Sequence, residues 1–150
     1  MENSIHYKLR ECHTNCQKTI IGQIKENTDL RPGEPKILEF LLEHEPCEQK
    51  QIATGCSLDS ASVTGILGRM EKRGLVKREN MNGNRRSLYV SMTDEGRRLS
   101  KVVEDTFLSV DSAAVKGMSD DEVSEFMRLL GIINNNLTEL GGIRNGRESN

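Results

Sequence analysis

Aromatic residues are scarce in this sequence. It contains no tryptophan, two tyrosines and three phenylalanines, and hydrophobic residues of all kinds make up 35% of its 150 residues. Large aromatic side chains supply much of the apolar area that a core buries, so a thick core within one chain is difficult to build. We expect one domain with helical extensions, and a homodimer would bury further apolar surface between its chains.

Long apolar runs and paired cysteine motifs are also absent. No stretch approaches the ~20 apolar residues that span a bilayer, and residues 1–15 lack the apolar region of a signal peptide. We therefore expect a cytoplasmic protein without a membrane partner. Cys12, Cys16, Cys47 and Cys56 form no CxxC pair, which indicates four reduced thiols.

The residue patterns of common enzymes are missing as well. The sequence shows no Ser/His/acid set, no glycine-rich phosphate loop and no carboxylate pair with a partner. It therefore predicts neither an enzyme nor a cofactor.

The net charge of −2 hides an uneven distribution of charged residues. Residues 50–101 hold eleven Lys and Arg against five Asp and Glu, a net charge of +6, and the remainder carries −8. A basic centre between acidic ends is the electrostatic footprint of a nucleic-acid-binding segment. Charge that merely solvates a surface has no reason to concentrate there.

Apolar periodicity predicts four helices in the first half of the chain. An apolar stripe runs through residues 4–27. A second helix is expected to begin near Pro32, a residue suited to a first helical turn, and to end before Pro46. A short third helix covers about Glu48–Thr54, and a fourth runs to about Arg73.

The order of elements after the third helix is that of a winged helix. Asp59 or Ser57 can cap the fourth helix, whose inner face carries four apolar residues, and Gly74 suits its left-handed end. The inner face consists of Val63, Ile66, Leu67 and Met70. Two β-rich runs follow, Leu75–Arg78 and Ser87–Met92. Asn82-Gly83 is a strong turn signal between them.

The second helix of a helix-turn-helix lies in the major groove of DNA, which assigns contacts to the outer face of the fourth helix and to the basic residues after it. The candidate DNA-binding residues are Ser60, Ala61, Ser62, Thr64, Gly65, Arg69, Lys72, Arg73, Lys77, Arg85 and Arg86. Gly65 and Gly68 allow two explanations: close packing against another helix, or a helix that sits deep against DNA. Arg78 is a further candidate for phosphate.

Two more helices are expected beyond the wing, opening at Thr93-Asp94-Glu95 and at the capping box of Ser119–Glu122. The last one has a heptad rhythm that favours a partner helix. The apolar stripes of the terminal helices could instead fold back on their own domain, but the scarcity of aromatic residues favours a homodimer. The candidate dimerisation residues are Ile5, Leu9, Val123, Phe126, Leu130, Ile133 and Leu137. The expected organisation is a dimerisation region at 1–30 and 94–142, a winged helix-turn-helix at 31–93 and a frayed tail at 143–150.

Four segments together resemble the MarR family of bacterial transcription regulators. They read LRPGEPKILEFLLEHEP, QKQIA, SVTGILGRMEKRGLVKRE and NRRSLYVSMTDEG. The resemblance implies a winged-helix homodimer on pseudo-palindromic operators, usually a repressor, that a small-molecule effector or an oxidant releases from double-stranded DNA. It also places Arg86 in the minor groove and Arg85 on phosphate. The family usually has Asp where this chain has Asn84, and often Thr where it has Arg31.

Three alternatives stay open. Cys12 and Cys16, one turn apart, are either small buried hydrophobes or an oxidation sensor. A metal-responsive regulator could use Cys12 with Cys16 or His44 with Cys47, although a structural zinc site needs four ligands. A winged helix can also serve protein contacts alone, but that role gives no reason for the basic centre.

Overall fold

The computed structural model describes residues 3–80 and 88–142, and the chain divides into two compact units, Met1–Val110 and Asp111–Asn150. The elements are α1 (Ile5–Asn27), α2 (Glu34–His44), β1 (Cys47–Glu48), α3 (Gln49–Gly55), α4 (Ser60–Lys72), β2 (Val76–Asn80), β3 (Leu88–Met92), α5 (Asp94–Ala114) and α6 (Asp120–Gly141). This mainly helical chain with a small antiparallel sheet confirms the predicted fold class. None of the described helices combines the length and apolarity needed to cross a membrane.

The core of the first unit is built around α4. Its predicted inner face, Val63, Ile66, Leu67 and Met70, is buried to 7% exposure or less. These side chains belong to one cluster with the buried faces of α2 and α3, represented by Leu38 and Ile52. Apolar positions three and four residues apart align on one side of a helix, and here that side meets the rest of the core.

The sheet has the strand order β1-β3-β2, with both pairs antiparallel. In the β2–β3 hairpin, Arg78 lies opposite Val90. The two-residue strand β1 pairs Cys47 with Val90 and Glu48 with Tyr89. Sequence reasoning missed β1 because two residues show no alternation, and the Asn82-Gly83 turn lies outside the described residues.

The start of α2 differs from the prediction. The helix begins at Glu34, two residues after Pro32, and Pro35 is the proline in its first turn. Gly33 precedes it with φ of 86°, a left-handed conformation that favours glycine. The sequence predicted the right chemistry, a proline near a helix start, but selected the wrong proline.

Thr93 and Gly96 attach α5 to the rest of the first unit. The Thr93 hydroxyl donates to Gly74 O at 2.6 Å and accepts from Gly96 N at 3.1 Å, while Thr93 N donates to Leu75 O at 3.1 Å. A Cβ built on Gly96 would lie 2.0 Å from Leu75 O. The Thr-x-x-Gly motif therefore combines a helix cap with a position where only glycine fits.

The two terminal helices leave most of their apolar side chains uncovered. In α1 only Ile24 is buried, while Ile5 is 65% exposed. In the second unit, the capping box of Ser119 and Glu122 opens α6 as the sequence predicts, and no residue of α6 is buried. Among its predicted dimerisation residues, Phe126 and Leu137 are exposed. The others, Val123, Leu130 and Ile133, are half-buried.

We predict that Gly96→Ala destabilises the protein by about 1–3 kcal/mol, because the added methyl group must displace the Leu75 backbone. Gly68→Ala is the matched control, since a Cβ there meets no atom of the described residues within 4 Å and alanine favours a helix by up to about 1 kcal/mol. Thermal unfolding of both variants measures the difference. A Gly96→Ala protein as stable as the parent would contradict the close packing.

Candidate nucleic-acid interface

The outward face of α4 consists of small or polar side chains. Asp59 caps the helix by accepting a hydrogen bond from Ser62 N at 2.8 Å, and the apolar face turns inward. Because burial of the apolar face turns the opposite face of the helix outward, every predicted contact residue on this helix is exposed. These residues are Ser60, Ala61, Ser62, Thr64, Gly65, Arg69 and Lys72. The structure thus brings one uninterrupted set of candidates onto one surface.

Two hydroxyl groups of this face are oriented by neighbours. Ser62 Oγ donates to Asp59 Oδ2 at 2.5 Å, and Thr64 Oγ1 donates to Ser60 O at 2.8 Å. Gln49, the first residue of α3, donates its side-chain amide to Thr64 Oγ1. Since both protons are used, these hydroxyl oxygens are left as acceptors. Nothing in the sequence pattern pointed to Gln49, whose partner lies 15 residues away.

Asp59 stays ionised at neutral pH in this arrangement. The hydrogen bonds from the Ser62 side chain and backbone hold the pKa of its carboxyl below the usual value. A carboxylate at the start of α4 also suits the positive end of the helix dipole. Asp59 therefore orients the helix start and one hydroxyl of the exposed face.

The two glycines of α4 have open space around them. Among residues 3–80 and 88–142, a Cβ on Gly65 would approach only Arg69 Nη1, at 3.5 Å, and one on Gly68 meets nothing within 4 Å. By contrast, a Cβ on Gly55 at the end of α3 would lie 2.1 Å from the Phe40 ring. Close packing within the chain therefore explains Gly55 but not the glycines of α4, which favours the alternative of a helix shaped for close approach by a partner.

The candidate cations fall into different environments. Arg69 and Lys72 are exposed and form no ion pair within residues 3–80 and 88–142. Lys77 pairs with Glu79 at 3.2 Å, with both side chains more than half exposed. Such surface pairs contribute little and exchange readily. Arg85 and Arg86, the predicted wing contacts, lie outside the described residues.

Two arginines of the basic segment are held by acidic partners. Arg78 donates from Nε at 3.0 Å and from Nη2 at 2.5 Å to Glu71 Oε2, and this pairing lowers the pKa of Glu71. Arg73 pairs with Glu34 and Asp29, and the hydrogen bond to Glu34 raises the pKa of Arg73. Their charges are already partly compensated inside the fold.

The four cysteines differ in exposure. Cys12 is exposed and Cys16 half-buried on α1, whereas Cys47 and Cys56 are buried. Burial raises the pKa of each of the buried thiols to about 11. Within the described ranges, no three His, Cys, Asp or Glu side chains group as metal ligands. His44, one of the candidate ligands, stacks on Phe40 with ring centroids 4.1 Å apart.

Comparison with known proteins finds similarity in the middle of the chain. Residues 30–88 match the model of the MarR family. The HTH-type transcriptional regulator MgrA of Staphylococcus aureus is 33% identical over 95 residues, 63% of either chain. The chain therefore spans less than two thirds of this relative's length.

Two solved structures share the fold over most of the chain. The MepR–DNA complex of S. aureus has a TM-score of 0.80 at 17% identity, covering 89% of this chain and 98% of MepR. CouR of Rhodococcus jostii RHA1 bound to p-coumaroyl-CoA has a TM-score of 0.73 at 23% identity, covering 88% of this chain and 92% of CouR. At these identities the likeness establishes the winged-helix fold.

We predict that Cys47 and Cys56 do not react with an aromatic disulfide reagent at pH 8 in the folded protein, because a thiol with a pKa of about 11 holds little thiolate. The variant Cys12→Ser/Cys16→Ser isolates the two buried thiols. Absorbance of the released aromatic thiol should report no reaction before unfolding and two equivalents after it. Rapid release from the folded variant would refute the assignment.

Proposed function

We propose that the protein is a homodimeric transcriptional regulator of the MarR family, whose model matches residues 30–88, and that it binds pseudo-palindromic operators. The observation that carries this proposal is the outer face of α4. It is exposed, small and polar, and it ends in two cations, Arg69 and Lys72, that have no ion-pair partner within the described ranges. Such a face fits the major groove of DNA.

α4 is then the recognition helix. Small side chains at Ala61, Gly65 and Gly68 let its backbone approach base edges closely, and the methyl groups of Ala61 and Thr64 suit contact with thymine. Ser60 and Arg69 add polar contacts to bases or phosphates. Lys72 and Lys77 are proposed phosphate contacts, which position the helix without reading sequence.

The wing is proposed to supply a second contact. Arg85 and Arg86 stand next to the turn between β2 and β3 in the sequence. A narrow A·T-rich minor groove concentrates negative potential and attracts arginine, so Arg86 is proposed to enter that groove and Arg85 to contact phosphate. These two residues complete the basic centre of the chain.

Residues 1–30 and 94–142 are proposed as the dimerisation region, and residues 31–93 as the DNA-binding region. The support is the apolar surface of the terminal helices: Ile5 is 65%, Phe126 47% and Leu137 51% exposed. Side chains of this size stabilise a fold only when they are buried, at about 25 cal/mol per Å². The heptad spacing on α6 suits pairing with a second copy of the chain.

Release by a small-molecule effector and repression in the cytoplasm are further parts of the proposal. The structural relative CouR is known bound to a 23-mer DNA duplex and bound to p-coumaroyl-CoA, so one protein of this fold accommodates both kinds of partner. An oxidation-responsive regulator is a second candidate, supported by the exposed thiol of Cys12 and the neighbouring Cys16, one turn away. Unchanged DNA binding after peroxide treatment would exclude it.

We predict that the protein retards the DNA upstream of its own gene, and that the affinity falls steeply with salt. If a dimer makes about eight phosphate contacts, the slope of log affinity against log salt is about −7. Retardation titrations at several salt concentrations measure it. Failure of a folded dimer to bind duplex at low salt would reject the proposal and favour a module for protein contacts.

We also predict that Gly65→Leu weakens operator binding by at least about tenfold, equivalent to 1.4 kcal/mol, because the branched side chain holds the helix away from the groove. Folding should persist, since the nearest neighbour of a Cβ there is the flexible end of Arg69. Gly65→Ala separates side-chain size from loss of glycine and should bind more tightly than Gly65→Leu. Equal affinities for the parent and the leucine variant would contradict close approach.

A further inference from the structure

We propose that Arg73 is a positioning residue that anchors the recognition helix to the junction between α1 and α2, and that it makes no contact with DNA. The junction is defined as residues 28–34. The inference deepens the proposed DNA-binding function and rests on it. The charge pattern of the sequence placed Arg73 among the DNA contacts, and the positioning role proposed for it replaces that assignment.

The guanidinium of Arg73 is shared between two residues of the junction. Arg73 is the C-cap of α4, and its Nη1 donates to Glu34 Oε2 at 2.6 Å. Its Nη2 lies 2.7 Å from Asp29 Oδ2 and donates to Asp29 O at 3.1 Å. The planar fork of arginine matches such paired acceptors in a way that lysine cannot. The two acidic residues therefore orient the Arg73 guanidinium at the end of the recognition helix and also balance its charge.

Glu34 makes this pairing difficult to exchange for a phosphate. Its side chain is completely buried, and its Oε2 also accepts from Arg31 N at 2.9 Å. Its Oε1 has no hydrogen-bond partner among the described residues. A buried carboxylate that loses its cation is strongly destabilised. Moving Arg73 onto DNA would leave Glu34 in that state, so the guanidinium stays in the fold.

A second contact joins the recognition helix to the same junction. Gly33 lies so close to α4 that a Cβ on it would be 2.7 Å from Ile66 Cδ1. Ile66 stands seven residues before Arg73, which is about two turns along the helix. The junction therefore contacts the recognition helix at two points along its length and restricts its tilt.

The junction is in turn fixed to the end of α1. The Thr28 hydroxyl donates to Ile24 O at 2.8 Å and accepts from Leu30 N at 3.2 Å. Ile24 and Leu30 are both buried in the core cluster. Asp29 therefore connects the last turn of α1, through Arg73, to the exit of the recognition helix.

Lys72 is a matched control for Arg73. The two residues are neighbours and carry the same charge, but Lys72 is exposed while the Arg73 side chain is 20% exposed. Replacing either with glutamine removes one positive charge from the same end of α4. Any effect of net charge alone is therefore equal in the two variants.

The experiment compares salt-dependent DNA binding of the full-length parent, Arg73→Gln and Lys72→Gln. A lost phosphate contact reduces the steepness of the salt slope by about 0.9 per contact. We expect Lys72→Gln to reduce it in that way. We expect Arg73→Gln to weaken DNA binding by about twofold to thirtyfold and to keep the salt slope of the parent. A loss of this size is typical of mutations that affect binding through other residues. A slope reduced as in Lys72→Gln would overturn the positioning role.

Glu34→Gln keeps the test decisive if Arg73→Gln does not fold. This variant removes the partner charge at a buried position that cannot touch DNA. We expect it to weaken binding with an unchanged slope, and the double variant Glu34→Gln/Arg73→Gln to bind about as well as the weaker single variant. Full affinity in a folded Glu34→Gln protein would also overturn the proposal.

Hydrogen exchange separates failure of this inference from failure of the proposed function. If the parent binds no duplex at all, the proposed function fails. Hydrogen exchange of the Arg73→Gln or Glu34→Gln protein still tests whether Arg73 anchors α4 to the junction. We expect faster exchange in residues 28–34 and 70–75 together, with no change in Lys72→Gln. Faster exchange confined to one of these segments would contradict the coupling.

Discussion

Burial of one apolar face fixes everything that α4 can present to a partner. Val63, Ile66, Leu67 and Met70 lose nearly all of their exposed surface, and a fully buried side chain of this kind contributes roughly 1.5–3 kcal/mol. Rotating the helix by one residue, about 100°, would bring polar and small residues into the core and expose these four. Burial of the apolar face therefore keeps the small, polar side of α4 facing outward.

Buried or half-buried carboxylates hold the elements around that helix. Glu34 receives Arg73 at the exit of α4. Glu45 accepts from Met92 N at 2.6 Å and pairs with Arg97, which ties the end of α2 to the sheet and to the start of α5. Each of these acids has an arginine partner distant in sequence, and breaking the buried pair at Glu34 costs more than forming it contributes. They therefore serve to define one arrangement of helices more than to add stability.

The sequence predicted what depends on short-range pattern and missed what depends on distant partners. Apolar spacing gave the inner face of α4, and the Ser119 capping box gave the start of α6, because both signals act within one or two helical turns. The two-residue strand β1 had no pattern to detect. Arg73 was assigned to DNA by its charge, since nothing local reveals a buried Glu34 39 residues away. The wing contacts remain predictions, because they lie outside the described residues.

Methylation interference would show whether the outer face of α4 reads the major groove, as we propose. Methylation of guanine N7 blocks the major groove alone, so partially methylated upstream DNA is divided into protein-bound and free fractions and the modified guanines are mapped. We expect methylated guanines to be depleted from the bound fraction in two clusters about 10 base pairs apart, one for each subunit. Tight binding to DNA that is indifferent to guanine N7 methylation, at a site with guanines in both halves, would contradict it.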